Sequence, residues 1–384
     1  MKTRNILYIG GLDSSQKGAI GTHTSGVISG FMSNGAHVHG VFLEGNEPNI
    51  RPQSLTLIRS TKVKGRIGSI INRILIIINV KKLKNKFDLS YHRYDPILSM
   101  FLCKNVDILE YNDDVLNQVE HVRRLGGYSR LGGVLRKLFY PWLFTASEKK
   151  CFESAKRVVC VTQKLVDMVH KRQPRARTIF LPNASLAIFD PVCATDLDTK
   201  LRLAHVGTLT YWDGILELID AIKKFVDLYP ENPIRLDIVG GGALLKDIKL
   251  SIDEKSLQDY IFLHDPVPHG EALEFLHKID VVPLLKTTHE YGLSPIKFYE
   301  ALCLGRYLIC TNIPHISEID SDEGIVVPFP LSSDDVVETL KCIYDNLSNI
   351  RENSSRRAER ARQAHSWHAR MQFLLNDLAF SENR

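Results

Sequence analysis

Two successive series of short, β-prone apolar runs, with helix-patterned stretches between them, constrain this chain more than any other feature. In the first series, "ILYIGG" reads as a buried strand entering a glycine-rich loop. "GTHTSGVISGFMSNG" follows as a helix and "AHVHGVFLE" as a second strand, a βαβ opening. Further strands are expected at "DLSYHRY" (88–94), "DILEYN" (107–112), "RVVCVT" (157–162) and "TIFLPN" (178–183). The second series runs "LRLAHVGTL", "IRLDIVGGG", "IFLHDPV", "VVPLLK", "RYLICT" and "GIVVPF". The pattern predicts an α/β chain of two doubly wound, Rossmann-like domains, with a cleft formed by the carboxyl ends of their strands. A weakly periodic loop, "NASLAIFDPVCATDLDTK", divides them, which gives domains over 1–190 and 200–365. The tail is helical from Ser332 on, and 366–384 is taken as a terminal helix.

A chain of 384 residues is long enough for two such domains, and 44% hydrophobic with 24% charged residues excludes a disordered protein. A net charge of +5 is too small to name a partner, so the position of the charge has to. Seven cysteines lie scattered with no Cys-x-x-Cys pair, which fits reduced thiols in a cytoplasm better than a disulfide framework. The apolar run after "MKTRN" is too short for a signal-peptide core, and "ILIIINV" (74–80) falls far below spanning length. The expectation is a cytoplasmic protein with at most a peripheral contact on the inner face of the plasma membrane.

"GLSPIKFYEALCLG" carries the chemistry. It reads as a helix with Ser294 as N-cap, Pro295 at the first helical position and Gly305 at the far end. Lys297 then sits in the first turn, where the helix dipole already places about half a positive charge. A lysine there repels the dipole when the site is empty and joins it in holding an anion. Glu300 lies three residues on, along the same face. The plainer alternative is that Lys297 reaches solvent while Glu300 pairs with a surface base.

This stretch resembles the donor-binding helix of the retaining glycosyltransferases of family 4, whose fold is GT-B. "VGTLTYWDGILELIDAI" is similar to the opening of that family's second domain, "LDIVGGG" to its glycine turn, and "VPHGEALEFLHKIDVVPLL" to its next helix and strand. "FDLSYHRYDP" with "DILEYND" resembles a branch of polysaccharide-building members, and "SWHARMQFLL" the terminal helix that returns to the first domain. The resemblance implies a hexosyltransferase of retaining type. It would move sugar from a nucleotide-sugar donor to a lipid-linked saccharide acceptor in surface polysaccharide synthesis. Neither a metal nor a cofactor is implied.

Donor-binding positions implied by the resemblance are Gly18, Gly21, Gly207, Thr208, Gly240, Gly241, Val267, Ser294, Pro295, Lys297 and Glu300. Lys297 would hold the diphosphate, and Glu300 would accept from ribose hydroxyls. Where many members have a histidine near the transferred sugar, this chain has Asn112. Asn112, Lys297 and Glu300 are therefore the catalytic candidates, and Arg93, Glu110 and Asp113 the acceptor candidates, with solvated loop residues as the alternative for "EYNDD". Two departures matter. The family's first glutamate falls on Gly292, with Glu290 out of register, and "GTLTYWDG" lacks the family's Arg and Lys. The departures keep open a catalytically inactive, nucleotide-sugar-binding scaffold of the same fold.

Other motifs carry less. "DLD" (196–198) has no apolar strand before it and reads as a loop, and "VGGGALL" breaks a dinucleotide fingerprint. Two regions, 62–86 and 123–144, combine lysine and arginine with apolar or aromatic residues. They suit an anionic membrane surface, and no nucleic-acid module accompanies them.

Overall fold

A computed structural model describes residues 4–12, 19–114, 133–186, 199–288, 294–312 and 319–382, with side chains omitted at a few of these. The chain divides into two compact units, Met1–Asn183 with Trp367–Arg384, and Ala184–Ser366.

Unit 1 holds a parallel sheet ordered β3-β2-β1-β4-β5-β6-β7. Its strands are β1 (Asn5–Ile9), β2 (His37–Leu43), β3 (Ser54–Ile58), β4 (Leu89–Arg93), β5 (Ile108–Tyr111), β6 (Arg157–Cys160) and β7 (Thr178–Phe180). Helices α1 (Ala19–Ser33), α2 (Gly65–Leu83), α3 (Pro96–Leu102), α4 (Gly133–Ser154) and α5 (Gln163–Arg172) connect them. β3 went unread in the sequence. It is an edge strand whose residues are mostly half-buried, so "SLTLI" lacks the apolar signature of its neighbours.

In unit 2 the parallel order is β10-β9-β8-β11-β12-β13. The strands are β8 (Leu201–Val206), β9 (Ile234–Val239), β10 (Ile261–His264), β11 (Val281–Leu284), β12 (Tyr307–Thr311) and β13 (Gly324–Val327). Helices α6 (Ile215–Leu228), α7 (Leu245–Glu254), α8 (His269–His277) and α9 (Ile296–Cys303) alternate with the strands. α10 (Ser333–Asp345), α11 (Leu347–Glu352) and α12 (Ser354–His365) follow. α6 shows why such segments fold as they do: Ile215, Leu218, Ile219, Ile222 and Phe225 recur at helical spacing and are all buried in the core against β8 and β9.

The last helix, α13 (Trp367–Glu382), belongs to unit 1. It lies on α1 at two glycines one turn apart. A Cβ on Gly26 would come 2.0 Å from the Trp367 ring, and one on Gly30 would come 2.4 Å from the Trp367 carbonyl oxygen. Arg157 and Asp377 fasten its outer end with an ion pair of 2.5 Å.

In both sheets the strand order reverses at one place, between β1 and β4 in unit 1 and between β8 and β11 in unit 2. Chain connections leave in opposite directions there, so the carboxyl ends of those two strands flank a crevice that no connection fills.

Candidate functional site

The switch point of unit 2 gathers side chains from four segments. β8 ends in His205 and Val206, Gly207 follows, and the turn after it brings Asp213 to the entrance of α6. β11 runs out into Lys286. α9 begins just afterwards and carries Lys297 and Glu300.

Backbone geometry lets these groups approach one another. Gly207 has φ +141 and Gly240 has φ +144, both in territory that side chains rarely adopt. A Cβ on Gly240 would lie 1.9 Å from the Gly207 carbonyl oxygen, so the two turns touch through bare backbone. Over Gly207 sits the Lys297 ammonium, 3.4 Å from where a Cβ would be.

Lys297 is half-buried, and its Nζ makes no hydrogen bond or ion pair with any described residue. Burial lowers its pKa from 10.5 to about 8. Asp213 and Glu300 oppose that shift, while Lys286 adds to it. The segment's N-terminus differs by one residue from the sequence expectation. α9 starts at Ile296 with Pro295 at the cap position, and no side chain caps it. Ser294 is not the N-cap; its hydroxyl lies 3.1 Å from that of Tyr299. This helix therefore starts with a cation in its first turn and no side-chain cap among the described residues.

Asp213 and Lys286 form a buried ion pair, their side chains 7% and 8% exposed. Asp213 also accepts from the Thr210 hydroxyl, and the Lys286 amide donates to Thr311 Oγ1 at 2.7 Å. Although burial works to raise the Asp213 pKa, Lys297 and Lys286 hold it below the ordinary value. His205 is 3% exposed with Nε2 unpartnered, and burial together with Lys297 takes its pKa down to about 3, so the imidazole is neutral.

Glu300 is buried, and its Oε1 lies 2.6 Å from Nε2 of His269, the first residue of α8. The hydrogen bond to Glu300 raises the His269 pKa against the opposing effect of burial. The remaining donor positions frame this cluster. Thr208 is exposed, Val267, Gly241 and Pro295 are half-buried, and Gly240 is buried. Gly21 is a buried residue in the first turn of α1 in unit 1, and Gly18 lies outside the described residues, as do Glu290, Gly292 and 196–198.

In unit 1 the residues at the ends of β4 and β5 are mostly committed to one another. Arg93 and Asp113 pair at 3.5 Å. Glu110 lies in the strand expected there and is 1% exposed, which sets aside the alternative of a solvated loop residue. His23 Nε2 lies 2.6 Å from its Oε1 and the Tyr91 hydroxyl 2.7 Å from its Oε2. Burial works to raise its pKa, yet His23, Arg93 and Tyr91 hold it at about 2. Asn112 follows β5 with a buried Oδ1 that has no partner among the described residues.

Sequence reasoning missed Lys286 and His269 as members of the site and noted Asp213 only as the absence of a base. A lysine ending "VVPLLK" is a signal, but it becomes readable only once β11 is known to adjoin β8.

Comparison with known proteins places these features in context. Residues 195–364, nearly all of unit 2, match the family model of the glycosyl transferases group 1. No curated protein matches the chain. Among solved structures, sucrose-phosphate synthase from Thermosynechococcus elongatus is 17% identical with TM-score 0.67, over 98% of this chain and 100% of that one. HepE from Anabaena, in complex with UDP and glucose, is 15% identical with TM-score 0.65, over 98% and 99%. WaaG, a glycosyltransferase involved in lipopolysaccharide biosynthesis, is 16% identical with TM-score 0.63, over 97% and 99%. These likenesses establish the fold as GT-B, with two Rossmann-like α/β domains.

Proposed function

We propose that this chain is a glycosyltransferase that binds a nucleoside-diphosphate sugar at the switch point of unit 2 and transfers the sugar with retention. The observation that carries the proposal is the Lys297 ammonium, poised over Gly207 without a bonding partner among the described residues. A half-buried cation at an uncapped helix start is costly in the empty protein and suited to a diphosphate. The group 1 match over the same unit supports the reading. Glu300, steadied by His269, is set to accept from ribose hydroxyls.

In the transfer step, negative charge gathers on the departing diphosphate as the acceptor hydroxyl attacks. Lys297 and the helix start supply compensating positive charge at that place, preorganised before reaction. Asn112, with an unsatisfied amide oxygen, is the unit 1 candidate for a sugar hydroxyl. Incubation with a panel of nucleotide sugars, UDP sugars first, should raise the melting temperature for one donor and release its nucleoside diphosphate. Excess EDTA should leave turnover unchanged; activity lost with EDTA and restored by magnesium would overturn the cationic mechanism.

The acceptor is proposed to be a lipid-linked saccharide met at an anionic membrane. No helix among the described residues is long and apolar enough to cross a bilayer. On α2, however, Ile67, Ile70, Ile74 and Ile78 lie on one face and are 66%, 52%, 49% and 44% exposed, with Lys62, Lys64, Lys81, Lys82 and Lys86 exposed around them. Lys84 is not part of this set, being paired with Asp107. Sedimentation with anionic liposomes should weaken on Lys81→Glu with Lys82→Glu, and be reversed by salt. Equal binding to neutral vesicles would remove the electrostatic reading.

A second reading, binding without turnover, is favoured by one observation: an aspartate, Asp213, stands in the cation cluster where the family pattern has bases. Donor binding with no product from any acceptor extract would favour it.

A further inference from the structure

In the donor site proposed above, one lysine faces a ligand with two phosphates, and the segment "GTLTYWDG" that should supply further bases has none. The structure brings a second lysine there by another route. Lys286 stands at the carboxyl end of β11, beside β8, so it meets the same crevice as Gly207 and Lys297. Its side chain is 8% exposed, and its charge lies close enough to Lys297 to depress the ionisation of that group.

A buried lysine at such a place needs a counter-charge, and here Asp213 provides it. Asp213 also offsets the charge-depressing effect of burial on Lys297 more than Glu300 does, although Asp213 and Lys297 make no ion pair. Asp213 thus stands among two lysines and a neutral His205 whose Nε2 has no partner among the described residues, while the second carboxylate, Glu300, is engaged by His269. Lys286 is ion-paired and Lys297 is not, so one ammonium of the cluster has no bonded carboxylate among the described residues. Against Lys286, the Asp213 carboxylate occupies the place that an oxyanion of a ligand would take.

We propose that Lys286 is a second diphosphate-binding cation of the donor site, held in readiness by Asp213, whose carboxylate gives up its lysine contact when the diphosphate enters. The proposal rests on the donor reading of unit 2. It assigns the missing basic residues of that reading to a different strand. Asp213 acts as an internal competitor, which keeps Lys286 ordered while the site is empty and weakens anion binding by the same contact.

The test is calorimetric titration of the full chain with UDP, inorganic pyrophosphate and uridine. Lys286→Ala should weaken UDP and pyrophosphate by about tenfold or more, the worth of one charge-assisted contact, and leave uridine unchanged. Lys286→Arg should restore most of the loss. Asp213→Asn should act in the other direction, tightening pyrophosphate severalfold while lowering the melting temperature of the empty protein. Because a single substitution strands a buried partner, the double variant Asp213→Asn with Lys286→Met provides a neutral pair to compare with Asp213→Asn alone. If the two bind pyrophosphate equally, Lys286 is only a counter-ion to Asp213 and the proposal falls. A folded Asp213→Asn that binds pyrophosphate more weakly overturns the competitor role. A wild type that binds none of the three probes removes the donor reading as well.

Discussion

The two switch points of this molecule share a topology and differ in electrostatic closure. In unit 1, where β1 and β4 part, Glu110 has both oxygens engaged by His23 and Tyr91, and Arg93 is answered by Asp113. In unit 2, where β8 and β11 part, Lys286 is paired with Asp213, and Lys297 has no bonding partner among the described residues. Topology provides a crevice in each case, whereas the side chains decide what it can hold. A closed set of charges offers a neutral ligand its remaining acceptors, such as Asn112 Oδ1. An open set with surplus cation selects an anion. The same parallel sheet thus supplies two chemically distinct ends.

The comparison breaks most readily at Glu110. Removing one member of a buried, hydrogen-bonded charge cluster costs about 3–5 kcal/mol, because its partners stay buried without it. Glu110→Ala should therefore show a large fall in unfolding free energy by denaturant titration, with UDP affinity unchanged in the fraction that remains folded. A stable Glu110→Ala protein with weakened acceptor use would reopen this carboxylate as a binding group.

Lys297→Ala should give the opposite pattern with the next largest effect. The loss of a charge-assisted contact, about 1.5–3 kcal/mol, corresponds to roughly ten- to a hundredfold in nucleoside-diphosphate affinity. Uridine binding should stay nearly intact. The empty protein should be as stable as the wild type or slightly more so, since the lysine opposes the helix dipole and bonds with none of the described residues. A destabilised variant with unaltered UDP affinity would make Lys297 a structural residue and dissolve the contrast between the two units.

These two residues also show what the sequence exposes and what it hides. Lys297 was legible because its oddity is local: a lysine in a first helical turn, with Glu300 on the same face, asks for an anion before any fold is known. Glu110 was not legible. "DILEYN" reads as a strand, but the burial of its glutamate shows only once β5 is seen paired between β4 and β6. Lys286 and Asp213 are 73 residues apart in sequence, and His269 and Glu300 are 31 apart. Each pair meets only through the strand order of unit 2. The alternation of apolar runs reveals most strands, but the order of those strands is a tertiary fact, and the site depends on that order. α2 was legible as a basic apolar segment, while the outward face of its isoleucines required the packing of Ile76 and Val80 inward.

A pH titration sharpens the contrast at smaller cost to the protein. Lys297 faces Asp213, Lys286, Glu300 and His205, and in the empty site its pKa is lowered from 10.5 to about 8, chiefly by burial. Between these values the unfolded chain keeps a proton that the folded chain releases. Stability of the empty protein should accordingly rise with pH across this window. Diphosphate binding should do the reverse. It favours the charged lysine, so UDP affinity should fall as pH climbs above about 8, where a terminal phosphate with its last pKa near roughly 6 is already almost fully ionised. Lys297→Ala should flatten that profile. A wild-type affinity that is level from pH 7 to 10 would mean the lysine is not at the diphosphate.

The smallest expected effect concerns His269, and it tests whether Glu300 is held ready by the protein or free to wait for a ribose. His269 has its pKa raised above 6.5, first by the hydrogen bond to Glu300 and against the effect of burial. A raised histidine contributes stability fully below its unfolded pKa and loses it as pH rises through the higher folded value. His269 is a third exposed, so screening should hold this contribution to a few tenths of a kcal/mol. The buried, neutral His205 pulls the other way, since its pKa is lowered to about 3 by burial and Lys297, and folding weakens as pH falls below 6.5. Comparison of wild type with His269→Gln from pH 5.5 to 8 cancels His205 and isolates His269. The melting-temperature difference should favour the wild type at the acid end and shrink toward pH 8. Glutamine retains a donor for Glu300 but not the charge, so uridine affinity should drop by no more than severalfold, whereas His269→Ala should cost more. If Ala and Gln are equivalent in both measurements, Glu300 needs no support from α8, and its carboxylate is positioned by its own helix alone.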